Sequence, residues 1–415
     1  MSIRELIGGR LRALNALLHR STDERGQPRD WPARSRVREA GAVNEIDLYG
    51  DYRAVDTLQD VLGEGDRIYR AAGKACTLPE PRILAGEPGL VLAKLKKNRG
   101  APLRLVKIED ALVLRKKQII NLRTGKLILD SFRKPARGDG SKNRILRTDR
   151  LQYESVDRIL TDEATPVLSD AFCAMSEIGG FGHILLEGIS QLWPLTEGLR
   201  LPVNARFLVN RSALGTFHHA YLEALGVSPR QLVPVETPLR VKGLVVASQS
   251  FVLSRGVGEH FFTLAERIAG HFGDPPSPCS RLYISRRYAQ KRRLNNEPAI
   301  EAVFERHRFR VIYPEQLPVS EQCRLFAGAE WIAGPVGSGL YGSMFCRPDV
   351  RRIILAPSHF VTANDLLLCR GHGPMYLFGT SRTPDLKEAM TDDWEIDTSS
   401  IERSLDSLFS GRNQG

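Results

Sequence analysis

A cluster of five cations follows a short apolar stretch in the last third of the chain. The stretch RLYIS, residues 281–285, has the apolar and β-branched pattern of a buried strand. The cations come soon after it: Arg286, Arg287, Lys291, Arg292 and Arg293. A guanidinium group forms bidentate, charge-assisted hydrogen bonds with phosphate oxygens. We therefore predict that a diphosphate group binds at the carboxyl end of this strand, in contact with Arg286, Arg287 and Arg293.

A glycine-rich turn lies about 50 residues further on, in EWIAGPVGSGLYGSMF, residues 330–345. The pattern predicts a strand over 331–333, then the turn, then an apolar helix. Free backbone amides at such a turn attract phosphate, so we expect Gly337, Ser338 and Gly339 to contact the same ligand. A tight-packing turn without a ligand is the alternative. Gly337, Gly339 and Gly342 also spell G-x-G-x-x-G, but no acidic residue ends the next strand, as a dinucleotide site requires.

Polar residues between these two motifs could support the ligand. Glu315 follows the predicted strand RVIY, where a carboxylate can accept hydrogen bonds from ribose hydroxyls. Asn296 and Glu297 precede one predicted helix, and Glu321 and Gln322 begin the next. Glu321 could instead simply favour the dipole of its helix. We treat the last four residues as possible supporting residues.

Helices and strands alternate twice along the chain, over residues 170–270 and again over residues 280–380. Alternation with short connections predicts parallel sheets covered by helices. We expect an α/β protein with an N-terminal lobe at 151–275 and a C-terminal lobe at 276–415. Ligands of such lobes bind beyond the carboxyl ends of the strands, which is where the arginine cluster and the glycine turn are expected.

The first 150 residues have a different character. Residues 3–18 show the apolar spacing of a basic amphipathic helix, and a linker without apolar period reaches residue 40. The helix could dock on its own domain or a partner subunit, or bind an anionic membrane surface. Residues 41–150 are predicted to form a β-rich extension, with a hairpin that turns near Thr124 and Gly125.

Composition limits the class of protein. The 415 residues are 42% hydrophobic and 26% charged, as in folded soluble proteins, and the net charge of +11 favours anionic partners. The six cysteines lie far apart without a C-x-x-C pair, which suggests neither a zinc ribbon nor a disulfide framework. No apolar run approaches the roughly 20 residues of a membrane span. We expect a cytoplasmic protein, with the inner face of the membrane as a peripheral site, and no nucleic-acid partner because stacking aromatics do not alternate with the cations.

Several blocks of the chain resemble glycosyltransferase family 61, whose bacterial members are capsular polysaccharide biosynthesis proteins. YISRRYAQKRRLNNE and RVIYPEQLPVSEQCRLFAGAEWIAGPVGSGL are similar to the family's strand, arginine, Asn-Glu, Pro-Glu, Glu-Gln and glycine-turn pattern. GGFGHILLEGISQLWPL resembles its earlier block and contains His183 and Glu187. The resemblance covers roughly residues 160–410. In the glycine turn the family usually has a histidine and a following asparagine, where this chain has Val336 and Gly342, so altered donor specificity and reduced activity are both open.

The resemblance implies a GT-B architecture, with two Rossmann-like lobes that enclose a cleft and the N-terminal extension beside them. It implies inverting transfer from a nucleotide sugar, a UDP-sugar, to a glycan or lipid-linked glycan. The chain contains no Asp-x-Asp motif, so we expect cations rather than a metal to neutralise the donor diphosphate, and no cofactor. For the general base that deprotonates the acceptor we expect His183, with Glu187 orienting it or serving as the base itself. A structural histidine is the alternative.

Two other functions fit parts of the sequence. Val336 and Gly342 are compatible with a non-catalytic nucleotide-sugar-binding or glycan-binding assembly protein derived from a transferase. The G-x-G-x-x-G match alone suggests an NAD-dependent oxidoreductase.

Overall fold

The structure is a computed structural model, and it describes eleven stretches of the chain. These are residues 67–71, 76–87, 103–114, 118–123, 126–127, 165–175, 180–199, 201–211, 217–273, 280–381 and 391–410. The amphipathic helix and linker predicted for residues 1–40 lie outside the described residues. None of the described helices is long and apolar enough to cross a bilayer.

The described residues form twenty strands, numbered in chain order. They are Arg67–Ala71 (β1), Arg82–Ala85 (β2), Leu103–Ile108 (β3), Ala111–Leu114 (β4), Gln118–Asn121 (β5), Lys126–Leu127 (β6), Val167–Leu168 (β7), Ala171–Cys173 (β8), Arg206–Val209 (β9), Leu232–Pro234 (β10), Leu239–Val241 (β11), Leu244–Ala247 (β12), Phe251–Val252 (β13), Gly256–Val257 (β14), Arg281–Ile284 (β15), Arg310–Ile312 (β16), Trp331–Pro335 (β17), Arg351–Pro357 (β18), Met375–Ser381 (β19) and Trp394–Glu395 (β20).

Helical segments connect these strands. The first, α1, begins as an α-helix over Phe181–His183, continues as a π-helix over Ile184–Gly188 and ends as a 3-10 helix over Ile189–Leu195. The α-helices that follow are Phe217–Ala224 (α2), Glu259–Phe272 (α3), Glu297–Arg306 (α4), Val319–Gly328 (α5), Ala363–Leu367 (α6) and Thr398–Phe409 (α7). Three further 3-10 segments are Pro229–Gln231, Pro314–Gln316 and Ser338–Phe345.

The C-terminal half contains a parallel sheet with the strand order β16-β15-β17-β18-β19-β2, to which β20 adds antiparallel at β19. Numbered along the chain from β15, the first five strands have the doubly wound order 2-1-3-4-5. The strand order therefore reverses between β15 and β17, which is the topological switch point of such a sheet. Leu282, Tyr283 and Ile284 of β15 are buried, as expected for a strand covered on both faces. The carboxyl ends of β15 and β17 therefore flank the point where ligands bind in such sheets.

The N-terminal half differs from the fully parallel sheet that the alternation predicts. Strands β12, β8, β9 and β10 are parallel neighbours, but β3 and β1 extend this sheet antiparallel. A second sheet has the strand order β6-β5-β4-β11-β7. It includes the predicted hairpin, in which Ile120 of β5 pairs with Leu127 of β6. The N-terminal sheet is mixed because the β-rich extension supplies β1 and β3 to it. The extension also supplies β2 to the C-terminal sheet, where Arg82 pairs with Met375 of β19.

One large apolar cluster joins the two halves. The ring of Tyr221 in α2 lies 5.5 Å from that of Phe345, in the 3-10 segment after β17. Phe261 and Ile268 of α3 are buried in the same cluster as Phe326 of α5. The segments that carry the predicted site residues are thus packed against a shared core.

Candidate active site

Two arginines flank the backbone of Gly337 at the end of β17. A Cβ atom placed on Gly337 would lie 2.6 Å from Nη1 of Arg286 and 2.8 Å from Nη2 of Arg292. Gly337 also has φ +148°, which side-chain-bearing residues rarely adopt. The turn therefore requires glycine both for its conformation and for the close approach of the two guanidinium groups.

Arg292 lies in a loop, and three contacts hold its backbone and its guanidinium group in place. Its φ of +52° turns the chain locally, and its backbone amide donates to the carbonyl of Thr391 at 3.0 Å. Its Nη2 donates to the carbonyl oxygen of Val336 at 3.0 Å, and its Cζ lies 4.3 Å from the ring centroid of Phe360. A hydrogen bond and a cation–π contact thus hold this guanidinium beside the glycine turn.

Burial lowers the pKa of both arginines, and the charge of Arg286 adds to this effect at Arg292. Burial lowers the pKa of Arg286, although the charges of Glu297, Tyr341 and Glu315 act in the opposite direction. Burial, followed by the charge of Arg286, lowers the pKa of Arg292 to about 10. The buried Nε of Arg286 has no hydrogen-bond partner among the described residues. An anion between the two groups would relieve the repulsion and restore lost hydrogen bonds.

Two carboxylates of α4 fix the backbone that leads out of β15. Glu297 accepts from the amide of Arg286 at 2.7 Å, and burial is the main cause that raises its pKa to about 7. Glu301 accepts from Oγ of Ser285 at 2.7 Å and pairs with Nη2 of Arg287 at 2.8 Å. Glu297, predicted as a supporting residue, thus positions Arg286 through its main chain, whereas Arg287 is engaged with Glu301.

His183 and Glu187 form a hydrogen-bonded pair at the start of α1. Nδ1 of His183 lies 2.7 Å from Oε2 of Glu187, and the carboxylate is buried while the imidazole keeps 30% of its side chain exposed. A carboxylate on Nδ1 sets the orientation of the ring and leaves Nε2 to act as base. The pair lies where the helix widens into its π-turn, a feature often found at functional sites.

The start of α1 is in direct contact with the segment after the glycine turn. A Cβ atom on Gly182 would lie 2.9 Å from Cβ of Ser338 and 3.0 Å from the ring of Tyr341. The ring of Phe181 packs edge-on against Phe217 at 4.9 Å, which secures this end of the helix on α2. The fold therefore brings Gly182, the residue directly before His183, into contact with the residue that follows Gly337.

The structure does not bring Arg293 to this place. Its side chain is exposed and pairs with Asp393, with 2.6 Å between Nη2 and Oδ2, and its amide donates to the same carboxylate. This hydrogen bonding raises the pKa of Arg293. The neighbouring Arg292 lies at the glycine turn instead. Sequence spacing could not distinguish two consecutive arginines in a loop, because the choice depends on the left-handed backbone of Arg292.

The remaining predicted residues have structural contacts. Nδ2 of Asn296 donates to the carbonyl of Ile396 at 2.7 Å, and Nε2 of Gln322 donates to that of Pro314 at 2.7 Å. The carboxylate of Glu321 lies 3.6 Å from Arg310. Glu315 is exposed after β16, and its charge acts on Arg286. Glu315 therefore lies close enough for its charge to act on Arg286, as that of Glu297 does.

The segment after the glycine turn is helical, as the apolar pattern predicts, and has the geometry of a 3-10 helix. A Cβ atom on Gly339 would meet Ile284 at an ordinary 3.5 Å, whereas one on Gly342 would lie 2.3 Å from the ring of Phe326. Val336 is buried in the apolar core. The two positions where this chain departs from the family pattern are thus filled by close apolar packing.

Known proteins give one point of comparison. A search of the curated proteins finds no match for this chain. Residues 181–354 match the model of the family described as Glycosyltransferase 61. The matched stretch begins at the start of α1, ends in β18 and includes His183, Arg286 and Gly337. The match supports glycosyltransferase activity, which requires a sugar donor and an acceptor. The similarity to this family is limited to the matched stretch.

Proposed function

We propose that the protein is an inverting glycosyltransferase that transfers a sugar from a nucleotide-sugar donor to a glycan or lipid-linked glycan in capsular or surface polysaccharide synthesis. The observation that carries the proposal is the proximity of two groups of residues. Arg286 and Arg292 flank Gly337, and the helix start that carries His183 and Glu187 touches Ser338. Both groups lie inside the stretch that matches Glycosyltransferase 61.

The arginine pair is suited to the leaving group of this reaction. As the bond between the sugar C1 and the phosphate oxygen breaks, its electron pair stays on the diphosphate, and the negative charge there increases. Arg286 and Arg292 would stabilise that charge, together with the backbone amides near Ser338 and Gly339. Glu315 would accept hydrogen bonds from the ribose. In the absence of an Asp-x-Asp motif, we expect transfer from a UDP-sugar without a divalent metal or other cofactor.

The histidine–glutamate pair is suited to the acceptor. Nε2 of His183 would take the proton from the acceptor hydroxyl while that oxygen forms its bond to C1 of the sugar. The attack on the face opposite the diphosphate inverts the configuration at C1. Glu187 would stabilise the resulting imidazolium through Nδ1, since the two side chains are 2.7 Å apart.

The same proposal includes an arrangement of the chain. Residues 151–275 would bind the acceptor and residues 276–415 the donor, as two lobes of a GT-B enzyme with a cleft between them. The separate N-terminal and C-terminal sheets are compatible with this division. A cytoplasmic enzyme at the inner face of the membrane, held by the basic helix predicted for residues 3–18, would meet lipid-linked acceptors there.

One observation favours a second candidate, a non-catalytic sugar-binding or nucleotide-binding assembly protein. Val336 and Gly342 are packed tightly, with Val336 buried and Gly342 against Phe326, so neither position offers a polar group. Such a protein would bind nucleotide sugars without turning them over.

Release of nucleoside diphosphate from a panel of nucleotide sugars, measured with excess EDTA and again with manganese, tests the proposal. We expect turnover of at least one UDP-sugar in EDTA, and its loss in the His183→Ala protein. Binding without turnover by the wild type would favour the assembly protein. Stabilisation by NAD but by no nucleotide sugar would contradict the transferase proposal.

A further inference from the structure

Tyr288 exposes an aromatic ring two residues after Arg286. It is 55% exposed, and the other large apolar side chains exposed among the described residues are aliphatic: Ile83, Val167 and Val203. Its ring centroid lies 5.3 Å from that of Tyr313, with the rings tilted by 53°. An exposed tyrosine that rests on another tyrosine offers a face to a flat ligand.

Hydrogen bonds fix the ring of Tyr313 and the turn that carries Tyr288. The hydroxyl of Tyr313 donates to the carboxylate of Glu301, with 3.3 Å to each oxygen. The amide of Ala289 donates to the carbonyl of Arg286 at 2.8 Å and closes the turn that contains Tyr288. The same Glu301 pairs with Arg287 in that turn. The aromatic face is therefore presented from a fixed turn, so that little conformational entropy is lost when a ligand binds.

Three chemical features lie at the ends of β15 and β16. Arg286 flanks the glycine turn, and Tyr288 is two residues later. Glu315 is two residues beyond Tyr313, is exposed, and lies close enough for its charge to act on Arg286. The ends of these two strands thus carry a cationic site, a carboxylate and an aromatic face. A nucleoside diphosphate offers a complementary group to each of them: phosphates, ribose diol and base.

The geometry points to Tyr288 as the stacking residue for the base of the donor nucleotide, with Tyr313 as its support. This inference rests on the proposed nucleotide-sugar donor and adds the residue that distinguishes a nucleotide from a bare diphosphate. A sugar ring could also stack on tyrosine. We assign the base rather than the acceptor, because Tyr288 lies two residues from Arg286 of the proposed phosphate site, whereas the acceptor is expected at His183.

Titration calorimetry with UDP and with pyrophosphate, on the full chain, tests this inference. We expect Tyr288→Ala to weaken UDP binding by about 5- to 150-fold, the range for a lost base–aromatic stack, and to leave pyrophosphate binding nearly unchanged. Tyr288→Phe should retain UDP affinity. Val203→Ala, which shortens an exposed apolar side chain elsewhere, is the matched control and should bind like the wild type.

Saturation-transfer NMR on the UDP complex locates the contact. In the wild type we expect strong transfer to the uracil protons, and in Tyr288→Ala a selective loss there relative to the ribose protons. Equal UDP affinity in wild type and Tyr288→Ala would overturn the inference while leaving the transferase proposal intact. So would a change confined to the KM of the acceptor. If the wild type binds no nucleoside diphosphate at all, the nucleotide-sugar proposal fails together with the inference.

Discussion

Gly182 and Ser338 are in such close contact that a Cβ atom on Gly182 would lie 2.9 Å from that of Ser338. These residues come from opposite halves of the chain, Gly182 directly before His183 and Ser338 directly after Gly337. How closely the start of α1 approaches the segment after Gly337 is therefore limited by one glycine. Only a residue without a side chain permits this approach.

Gly182→Ala should lower turnover by about 10- to 100-fold, because a small displacement of a reacting group is enough to lose that much. Transfer kinetics and thermal melting of the variant measure the effect. Gly180→Ala is the control, since a Cβ there would meet His183 at an ordinary 3.7 Å. Adding Ser338→Gly to Gly182→Ala should restore part of the rate. Wild-type turnover in Gly182→Ala would show that turnover does not depend on this contact.

Removal of either arginine at the glycine turn should weaken donor binding. For Arg286→Ala and for Arg292→Ala we expect a loss of about 1.5–3 kcal/mol in UDP binding, as for charge-assisted hydrogen bonds. Calorimetric titration provides the measurement. Arg306→Ala is the control. It removes an exposed arginine of α4 that pairs with Glu402 of α7, and it should leave UDP binding unchanged.

The neighbouring Arg293 distinguishes the sequence-based prediction from the structural placement. If Arg293→Ala weakens UDP binding as much as Arg292→Ala does, Arg293 also contacts the diphosphate, and its pairing with Asp393 must open on binding. If only Arg286→Ala and Arg292→Ala are impaired, the phosphate site is the pair beside Gly337.

Loss of the proposed base should affect the rate and not the donor affinity. We expect His183→Ala to lower kcat by about 10²–10⁴-fold with UDP affinity nearly intact. Glu187→Gln should cause a smaller loss if Glu187 orients the ring. An equal loss in both variants would mean that the two residues act as one unit. A sharply lower Tm with a normal rate per folded molecule would identify His183 as a structural residue.

Some of this site could be predicted from the sequence. The apolar run at 281–284 and the glycines after 331 are local patterns, and they correctly locate β15, β17 and the turn. Other features depend on contacts between distant residues. The strand order that places β15 next to β17, the π-turn beneath His183 and the contact of Gly182 with Ser338 have no local pattern. The choice of Arg292 over Arg293 depends on one backbone angle, which residue type does not determine.

A buried histidine in α2 makes the free energy of unfolding dependent on pH. His218 is fully buried in α2, neither ring nitrogen has a hydrogen-bond partner among the described residues, and burial lowers its pKa to about 4. The unfolded chain, with a pKa near 6.5, therefore takes up the proton first as the pH falls. The stabilisation from keeping this ring neutral is complete above about pH 6.5 and is lost as the pH falls toward 4.

We expect the free energy of unfolding of the wild type to fall by up to about 3 kcal/mol more than that of His218→Leu between pH 7 and pH 4, at about 1.4 kcal/mol per pKa unit. Urea unfolding of both proteins at several pH values gives this difference, in which groups that titrate alike in both proteins cancel. His219→Leu is the control, because it removes the adjacent, less buried histidine of the same helix. Parallel curves for wild type and His218→Leu would show that His218 is protonated as easily in the folded protein as in the unfolded chain. If the free energy of unfolding of the wild type instead fell relative to that of His218→Leu as the pH rises, the sign would be wrong for a buried neutral imidazole. It would indicate a carboxylate beside the ring.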